Sequence, residues 1–572
     1  MICLGINQDR SDAGVALVAG GRVLFAANEE RFTRHKHQGG FPFHALEAAF
    51  RHSAVRHQDV DRVCIAGLRT PPLPVRLVPQ LQEWLYKDDR AGKRPAVEWL
   101  VDFLAYGTSL THISERSLLA RLTDALREPA VRRAAGSAFR SQPFLFVEHH
   151  RAHAAAAWAL SGFPETLCLT ADGMGDGVSM TISHCRGESI ERLWTCGAAD
   201  SLGHFYEIVT QALGFIPSRH EGKVTGLAAH GDHRRIPVPS PFRLVGDRLS
   251  YGWPRGRRGV ARLRELVCDR HSREDVASWA QHILESNVLA ILRPWLQRTG
   301  VHRLVLGGGI FANVRLNQQL HELGTEIFVC PNMGDGGLSL GAICAGGAMP
   351  PRPVEDVFWG DEFSDADITA ALDRQGLAGE QLDSIDERVA GLVAQGNIVG
   401  RFCGRMEWGP RALGNRSVLA RSSDTAVVGR LNRLLQRSDF MPFAPAVLAE
   451  DADLLLNGLD GARHSAEFMT LCFDATERMR REHPAVVHVD GTVRAQLVRA
   501  AANPSFHRLL QAHKDLTGTG MVLNTSFNIH EEPIVRTPDE AIRTFLRAKL
   551  DYLALGNHLV RAAHVPEGSR TF

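Results

Sequence analysis

The stretch from Val147 to Gly177, VEHHRAHAAAAWALSGFPETLCLTADGMGDG, constrains this chain more than any other. His149 and His153 stand at i and i+4 at the head of an alanine-rich run. A helix there puts both imidazoles on one face, one turn apart. The apolar segment Thr166–Ala171 reads as a strand that delivers Asp172 at its carboxyl end, where open α/β sheets carry their chemistry. Two histidines and a carboxylate with open positions describe a catalytic metal site rather than a closed structural one. The same spacing also opens ordinary helices with solvated imidazoles, and this chain has 26 histidines. A second acidic strand end favours the metal: Glu326–Cys330 runs into PNMGDGG, and Asp335 supplies a fourth ligand.

A chain of 572 residues implies two or more domains. Its net charge of +1 gives no global electrostatic case for nucleic-acid or membrane binding. No stretch has the length needed to span a bilayer. The opening MICLGIN has no preceding basic region and reads as a first strand, not a signal peptide. The ten cysteines are scattered without a CxxC, which argues against zinc modules and disulfides and favours a reducing, cytoplasmic setting.

In chain order, Ile2–Asn7, Val15–Val18 and Arg22–Asn28 read as three strands, with Gly20-Gly21 as a hairpin turn. The small polar turn Asp9–Gly14 is the kind of loop that cradles phosphate on backbone N–H groups. Glu29–His37 reads as a solvated charged loop from which Arg31 or Lys36 reaches a ligand. Residues 71–140 carry Leu, Trp and Phe at helical spacing, including Trp84, Trp99, Phe103 and Tyr106. They read as a helical insertion that covers the site or forms a subunit contact in a homodimer. Gly203–Leu213 is a helix. His220–Ala228 is a small-residue turn around Lys223, a point charge for phosphate. Residues 270–300 form an amphipathic helix. Leu304–Asn313 is a strand running into three glycines and then a helix, a nucleotide cradle with Gly308, Gly309 and Asn313.

The Pro- and Gly-rich segment Gly346–Asp356 reads as a linker, after which the pattern restarts. Gly404–Leu419 reads as a loop-to-helix segment carrying Arg405, Arg411 and Arg416. Arg437, Arg494 and a strand ending in Asn524, Thr525, Ser526 and Asn528 follow from separate stretches. Several arginines with hydroxyl and amide groups suit an anion with many oxygens, such as a phosphate or carbamate.

Taken together, His149-His150-x-x-His153, Thr170–Gly173, His220–Gly231, Gly307-Gly308-Gly309, Gly409–Gly414, Pro442–Pro445, His488–Gln496 and Leu523–Asn528 resemble the O-carbamoyltransferase family. That family includes nodulation-factor, cephamycin and aminoglycoside enzymes, and the resemblance runs nearly end to end. It implies an α/β protein of two domains. Residues 1–350 would be a duplicated ββ(β)αβα domain of the actin-like ATPase (Kae1-like) fold, and 357–572 a YrdC-like α/β domain. The second domain would convert carbamoyl phosphate and ATP to carbamoyl adenylate, with release of phosphate and pyrophosphate. The first would pass the carbamoyl group to a hydroxyl of a small-molecule acceptor. The resemblance makes His149, His153, Asp172 and Asp335 ligands of a divalent metal, iron(II) first, with Mg, Mn or Zn as alternatives. It places Gly308, Gly309, Asn313 and Lys223 at the nucleotide, and Arg411, Arg437, Arg494, Asn524 and Ser526 at carbamoyl phosphate and ATP.

Some positions depart from the family pattern. Gln436 and Met441 stand where the aminoglycoside enzyme has Lys and Arg, with Arg437 as a substitute charge. Ser11-Asp12 replaces a His-Asp pair, which moves a general-base role to Asp12 and His37, with Lys223 as a further catalytic candidate. A hydrogenase-maturation enzyme would need extra acylphosphatase-like and zinc modules. A tRNA-directed transferase is disfavoured by the near-zero charge, while transfer to a protein stays as an alternative. A sugar kinase leaves the second domain unexplained, and a nucleotide-sensing regulator leaves the metal constellation unexplained.

Overall fold

The computed structural model describes residues 1–71, 76, 118–136, 139, 141–437 and 443–562. The expected insertion at 71–140 lies mostly outside the described residues, as do its four aromatics and Met441. Its described part includes a helix, Leu118–Ala135. The chain divides into two compact units, Met1–Val354 and Glu355–Phe572.

The first unit is built on two five-stranded sheets. One contains β1 (Ile2–Asn7), β2 (Gly14–Ala19), β3 (Arg22–Asn28), β4 (Arg62–Ala66) and β5 (Phe144–Val147), in the order β3-β2-β1-β4-β5. β1 to β3 form an antiparallel meander, while β4 and β5 run parallel to β1. The second repeats this plan. β6 (Glu165–Gly175), β7 (Val178–Arg186) and β8 (Ser189–Gly197) form the meander. After a separate hairpin of β9 (Phe242–Val245) and β10 (Arg248–Tyr251), β11 (Arg303–Gly307) and β12 (Glu326–Val329) add in parallel. The order β12-β11-β6-β7-β8 is the first sheet's order strand for strand. This is the duplicated topology of the actin-like ATPase fold.

The alanine run has a structural cause. The helix His149–Ser161 packs on β6 and β11 and against the helix Leu338–Ala345, which lies on β1 and β4. Ala152, Ala154, Ala155, Ala156, Ala157 and Ala159 are all buried there. Small side chains let the two backbones approach closely, and the helix that presents the histidines is thereby fixed to both sheets.

The second unit holds an eight-stranded mixed sheet with Val399–Phe402, Arg416–Ala420, Met521–Ser526 and Ala444–Leu448 adjacent at its centre. The helices Ile385–Ala394 and Pro504–Thr517 pack against each other and close a core that includes Val389, Val393, Leu419, Leu448, Phe506 and Leu510.

Several expectations are corrected. The segment expected to pass from loop to helix ends instead in the strand Arg416–Ala420, which pairs with Val399–Phe402 and Met521–Ser526. All five of the strand's residues are buried, with Val418, Leu419 and Ala420 supplying the apolar part. His220–Ala228 is not a glycine turn: Glu221–Ala228 is helical and Lys223 lies within it. Glu29 and Arg31 are buried rather than solvated, and Glu30–Thr33 forms a short helix. Part of the expected linker is pinned down, since Arg352 and Val354 donate backbone N–H groups to Ala159 O and Leu160 O at 2.9 Å each.

Candidate active site

Four donors converge at the head of the His149–Ser161 helix. His153 Nε2 lies 2.8 Å from Asp172 Oδ2 and 3.6 Å from Asp335 Oδ1. His149 Nε2 lies 3.3 Å from the same Asp172 oxygen and 3.6 Å from the same Asp335 oxygen. The two Nε2 atoms are 3.2 Å apart. Divalent ions hold N and O ligands at about 2.0–2.2 Å, which sets ligand–ligand edges of roughly 3.0 Å in octahedral and 3.4 Å in tetrahedral geometry. The observed spacings, 2.8–3.6 Å, lie on and just either side of those edges, and two imidazoles with two carboxylates are the donor set of a borderline divalent metal. The site fits a cation such as iron(II), manganese or zinc.

The electrostatics point the same way. Burial disfavours charge on both imidazoles, but Asp172 outweighs it, aided by Asp9 and Asp335 at His149 and by Asp335 at His153. His149 therefore titrates well above its ordinary value and His153 above it. Burial acts to raise Asp172, yet His153 and His149 hold it below the usual carboxylate range. Asp335 is pushed up, chiefly by burial. A pair of carboxylates that draws protons onto buried imidazoles also attracts a divalent cation.

The surroundings keep the donors in place. Gly309 N–H donates to Asp172 Oδ1, leaving Oδ2 toward the histidines. The carboxylate of Asp176 accepts from His149 N–H at 2.9 Å and from the N–H groups of Leu68, Arg69 and Thr70 at 2.6–3.0 Å. It thereby ties the helix start to the loop after β4. A Cβ at Gly175 would come within 2.1 Å of the His149 ring, so only glycine lets β6 pass the imidazole. His150 is turned away: its ring nitrogens meet Thr170 Oγ1 at 2.8 Å and Val178 O at 3.0 Å. Burial lowers it to about 4, which suits a neutral structural imidazole.

The other first-unit candidates divide. Asp12 and His37 meet, His37 Nδ1 lying 3.0 Å from Asp12 Oδ1, and both are only part-exposed. Burial disfavours charge on each, but their mutual attraction lowers Asp12 and raises His37. Asp12 follows Ser11, whose hydroxyl donates to Asp335 Oδ2 at 3.1 Å, so the pair stands beside the four donors. Lys223 Nζ lies 3.2 Å from His220 Nε2. The glycine turn after β11 spends its amides on protein: Gly308 N–H donates to Met333 O at 2.6 Å and Gly309 N–H to Asp172. Asn313 caps the helix Val314–His321 through Leu316 N–H and donates to Gln281 Oε1 at 2.8 Å and Thr225 Oγ1 at 3.2 Å. Its amide is occupied in a buried network with Tyr206, which donates to Gln281 at 2.8 Å.

In the second unit the arginines separate by role. Arg416 is fully buried and donates to the carbonyls of Cys403 at 2.6 Å and Gly404 at 3.0 Å, while Arg405 donates to Trp359 O at 2.7 Å. These two hold the loop together. Arg411, Arg437 and Arg494 form a set. Burial lowers all three; Arg494 lowers Arg411 and Arg437 further, bringing Arg437 to about 10, and Arg437 adds to the effect on Arg411. Three guanidiniums that repel one another in a part-buried place favour a polyvalent oxyanion. Arg437 Nη1 donates to Thr525 Oγ1 at 2.5 Å, next to Ser526. Asn524, buried, donates to Ala412 O at 3.1 Å and Gln496 Oε1 at 3.0 Å, so it braces the loop behind Arg411. Gln436, at one of the departing positions, is exposed with φ of 54°.

Sequence reading missed Asp9, Asp176, Thr170 and Ser11 as supports of the site. A lone Asp or Ser in a turn carries no signal beyond the turn itself. Asp176 carried one faint cue, its place between two glycines at a hairpin tip.

Comparison with known proteins follows this geometry. Residues 2–239 and 259–344 match the family described as Carbamoyltransferase N-terminus, and residues 390–562 match Carbamoyltransferase C-terminus. The chain is 32% identical to the nodulation protein NolNO of Sinorhizobium fredii, across 98% of this chain and 82% of that one. It is 36% identical to the nodulation protein NolO of Bradyrhizobium diazoefficiens, across 73% and 79%. It is 32% identical to the 3'-hydroxymethylcephem-O-carbamoyltransferase of Streptomyces clavuligerus, across 42% and 45%. With both parts matched in order along its length, the chain belongs to the carbamoyltransferase family.

Proposed function

We propose that this carbamoyltransferase is an ATP-dependent O-carbamoyltransferase that divides its chemistry between two sites. The supporting observation is that each unit carries one chemically distinct site: a three-arginine set in the second, and a four-donor cation site beside an Asp–His pair in the first. In the second unit, Arg411, Arg437 and Arg494 bind the phosphate oxygens of carbamoyl phosphate and ATP. Water takes the phosphoryl group of carbamoyl phosphate, breaking its O–P bond to give carbamate and inorganic phosphate; the carbamate oxygen then attacks the α-phosphorus of ATP, and pyrophosphate leaves. The product is carbamoyl adenylate. Arginine suits this role because its planar fork binds oxyanions through two points and keeps its charge.

In the first unit, the hydroxyl of a small-molecule alcohol attacks the carbamoyl carbon and AMP leaves. His37 takes the hydroxyl proton, and Asp12 holds its ring and stabilises the imidazolium formed. Lys223, half-buried on the helix Glu221–Ala228, would supply a charge for the adenylate phosphate. His149, His153, Asp172 and Asp335 would hold a divalent cation, iron(II) first. Such an ion supplies Lewis-acid polarisation of the carbamoyl carbonyl when bound. The acceptor is an alcohol of a sugar or another natural product, in keeping with the cephem O-carbamoyltransferase among the relatives.

The test is pyrophosphate release from ATP, with and without carbamoyl phosphate, in the wild type and in Arg494→Ala. The expected result is carbamoyl-phosphate-dependent release that falls by at least about 100-fold in the variant. Release that ignores carbamoyl phosphate, or that survives the substitution, overturns the assignment.

A further inference from the structure

The turn between β1 and β2 has the composition of a phosphate cradle, and part of its backbone is engaged within the protein. Arg10 N–H donates to Asp9 Oδ1 at 2.7 Å, and Ala13 N–H donates to Gln38 O at 2.8 Å. Its side chains are directed elsewhere. Asp9, 5% exposed, places Oδ2 3.6 Å from His149 Nδ1. That is the ring edge away from Nε2, the nitrogen that faces Asp172 and Asp335. Two residues on, Ser11 Oγ donates to Asp335 Oδ2 at 3.1 Å. The other oxygen, Oδ1, is the one 3.6 Å from both imidazoles.

We propose that Asp9 and Ser11 are positioning residues for the metal centre. Asp9 sets its carboxylate 3.6 Å behind the His149 ring, at the nitrogen away from the four-donor cluster, and so braces the ring with Nε2 toward Asp172 and Asp335. Ser11 fixes which oxygen of Asp335 turns toward that cation. The inference rests on the reading that the four-donor cluster holds a metal. Two physical arguments support it. The His149 ring lies close against Gly175, where no Cβ fits, so it has no room to swing toward that strand. A carboxylate on the far nitrogen of a ligating histidine fixes its tautomer and raises its basicity, and loss of such a partner weakens metal affinity by about 10–100-fold. The turn read from the sequence as a phosphate cradle thus also turns acidic and hydroxyl side chains toward the four-donor cluster.

The experiment loads the full-length protein with Co2+ and measures affinity by chelator competition and coordination by visible absorption. The wild type is expected to bind one Co2+ per chain. Asp9→Asn keeps the shape and removes the charge; its affinity should fall by about 10–100-fold with a changed spectrum. Asp9→Glu should recover part of that loss, and Ser11→Ala should weaken binding severalfold. A merely structural role would lower thermal stability and leave affinity and spectrum alone. His153→Ala separates the two readings. If the wild type binds no Co2+, or His153→Ala binds as well as the wild type, the metal reading falls. If His153→Ala abolishes binding while Asp9→Asn and Ser11→Ala match the wild type in affinity and spectrum, the positioning inference falls. Should Asp9→Asn fail to fold, Ser11→Ala decides by the same criterion.

Discussion

At the scale of single residues, the site works by giving similar side chains opposite surroundings. His149 and His153 face carboxylates and are drawn toward charge, while His150, between them in sequence, faces a threonine hydroxyl and a carbonyl and is kept neutral. His153→Ala should therefore lose bound divalent metal and slow carbamoyl transfer by more than about 100-fold, checked by metal analysis and by product mass. His483 gives a prediction for stability. It is buried beside Ser422 Oγ at 2.9 Å, and burial lowers it to about 4. An unfolded histidine takes up its proton near pH 6.5, so the unfolded chain binds more protons below that point and stability falls with pH. The loss at pH 5 amounts to about 2 kcal/mol from this residue. Denaturant unfolding of the wild type and of His483→Gln at pH 7 and pH 5 should show a loss on acidification that is smaller in the variant by about that amount.

The same scale explains what the sequence carried and what it withheld. The i, i+4 spacing of His149 and His153 is a local property that survives any tertiary context, so the pair was legible. Arg405 and Arg416 were read with Arg411 as anion ligands, because an arginine's sequence does not say whether its guanidinium faces a ligand or a backbone carbonyl. Burial against Cys403 O, Gly404 O and Trp359 O settles that. Asn313 and Asn524 were read as ligand groups, yet each is spent on a buried network.

At the scale of elements, the site depends on where strands stop being regular. β6 and β7 lose register between Ala171 and Gly175, and Asp172 sits in that irregularity. The turn after β11 closes on it from the other side, with Gly308 at φ of 110° and its amide partner at Met333. A Cβ at Gly308 would fall 2.2 Å from Ala171 O. Gly308→Ala should accordingly cost about 3 kcal/mol, backbone strain and steric overlap together, and lower the unfolding midpoint in denaturant. Strands and long helices were legible here: Ile2–Asn7 and Arg22–Asn28 match their expected limits. The mistaken element types were short ones rich in small or charged residues. EGKVTGLA has two glycines and reads as a turn, but Val224, Leu227 and Ala228 bury one helical face. GNRSVL reads as a helix entry, but one of its two strand partners, Met521–Ser526, lies over a hundred residues away in the chain.

At the scale of the whole molecule, the chain couples a duplicated α/β unit to a second α/β unit, and both family matches follow that division. The proposed chemistry follows it too, with an anion-binding arginine set in one unit and a cation-binding cluster in the other. The direct measurement is to follow pyrophosphate release and carbamoyl transfer to an acceptor alcohol side by side, in His153→Ala and in Arg494→Ala. The predicted result is that His153→Ala still releases pyrophosphate in the presence of carbamoyl phosphate but transfers no carbamoyl group, while Arg494→Ala does neither. Transfer that persists in His153→Ala, or pyrophosphate release that is lost with the histidine and kept without the arginine, would contradict the division of labour between the two sites.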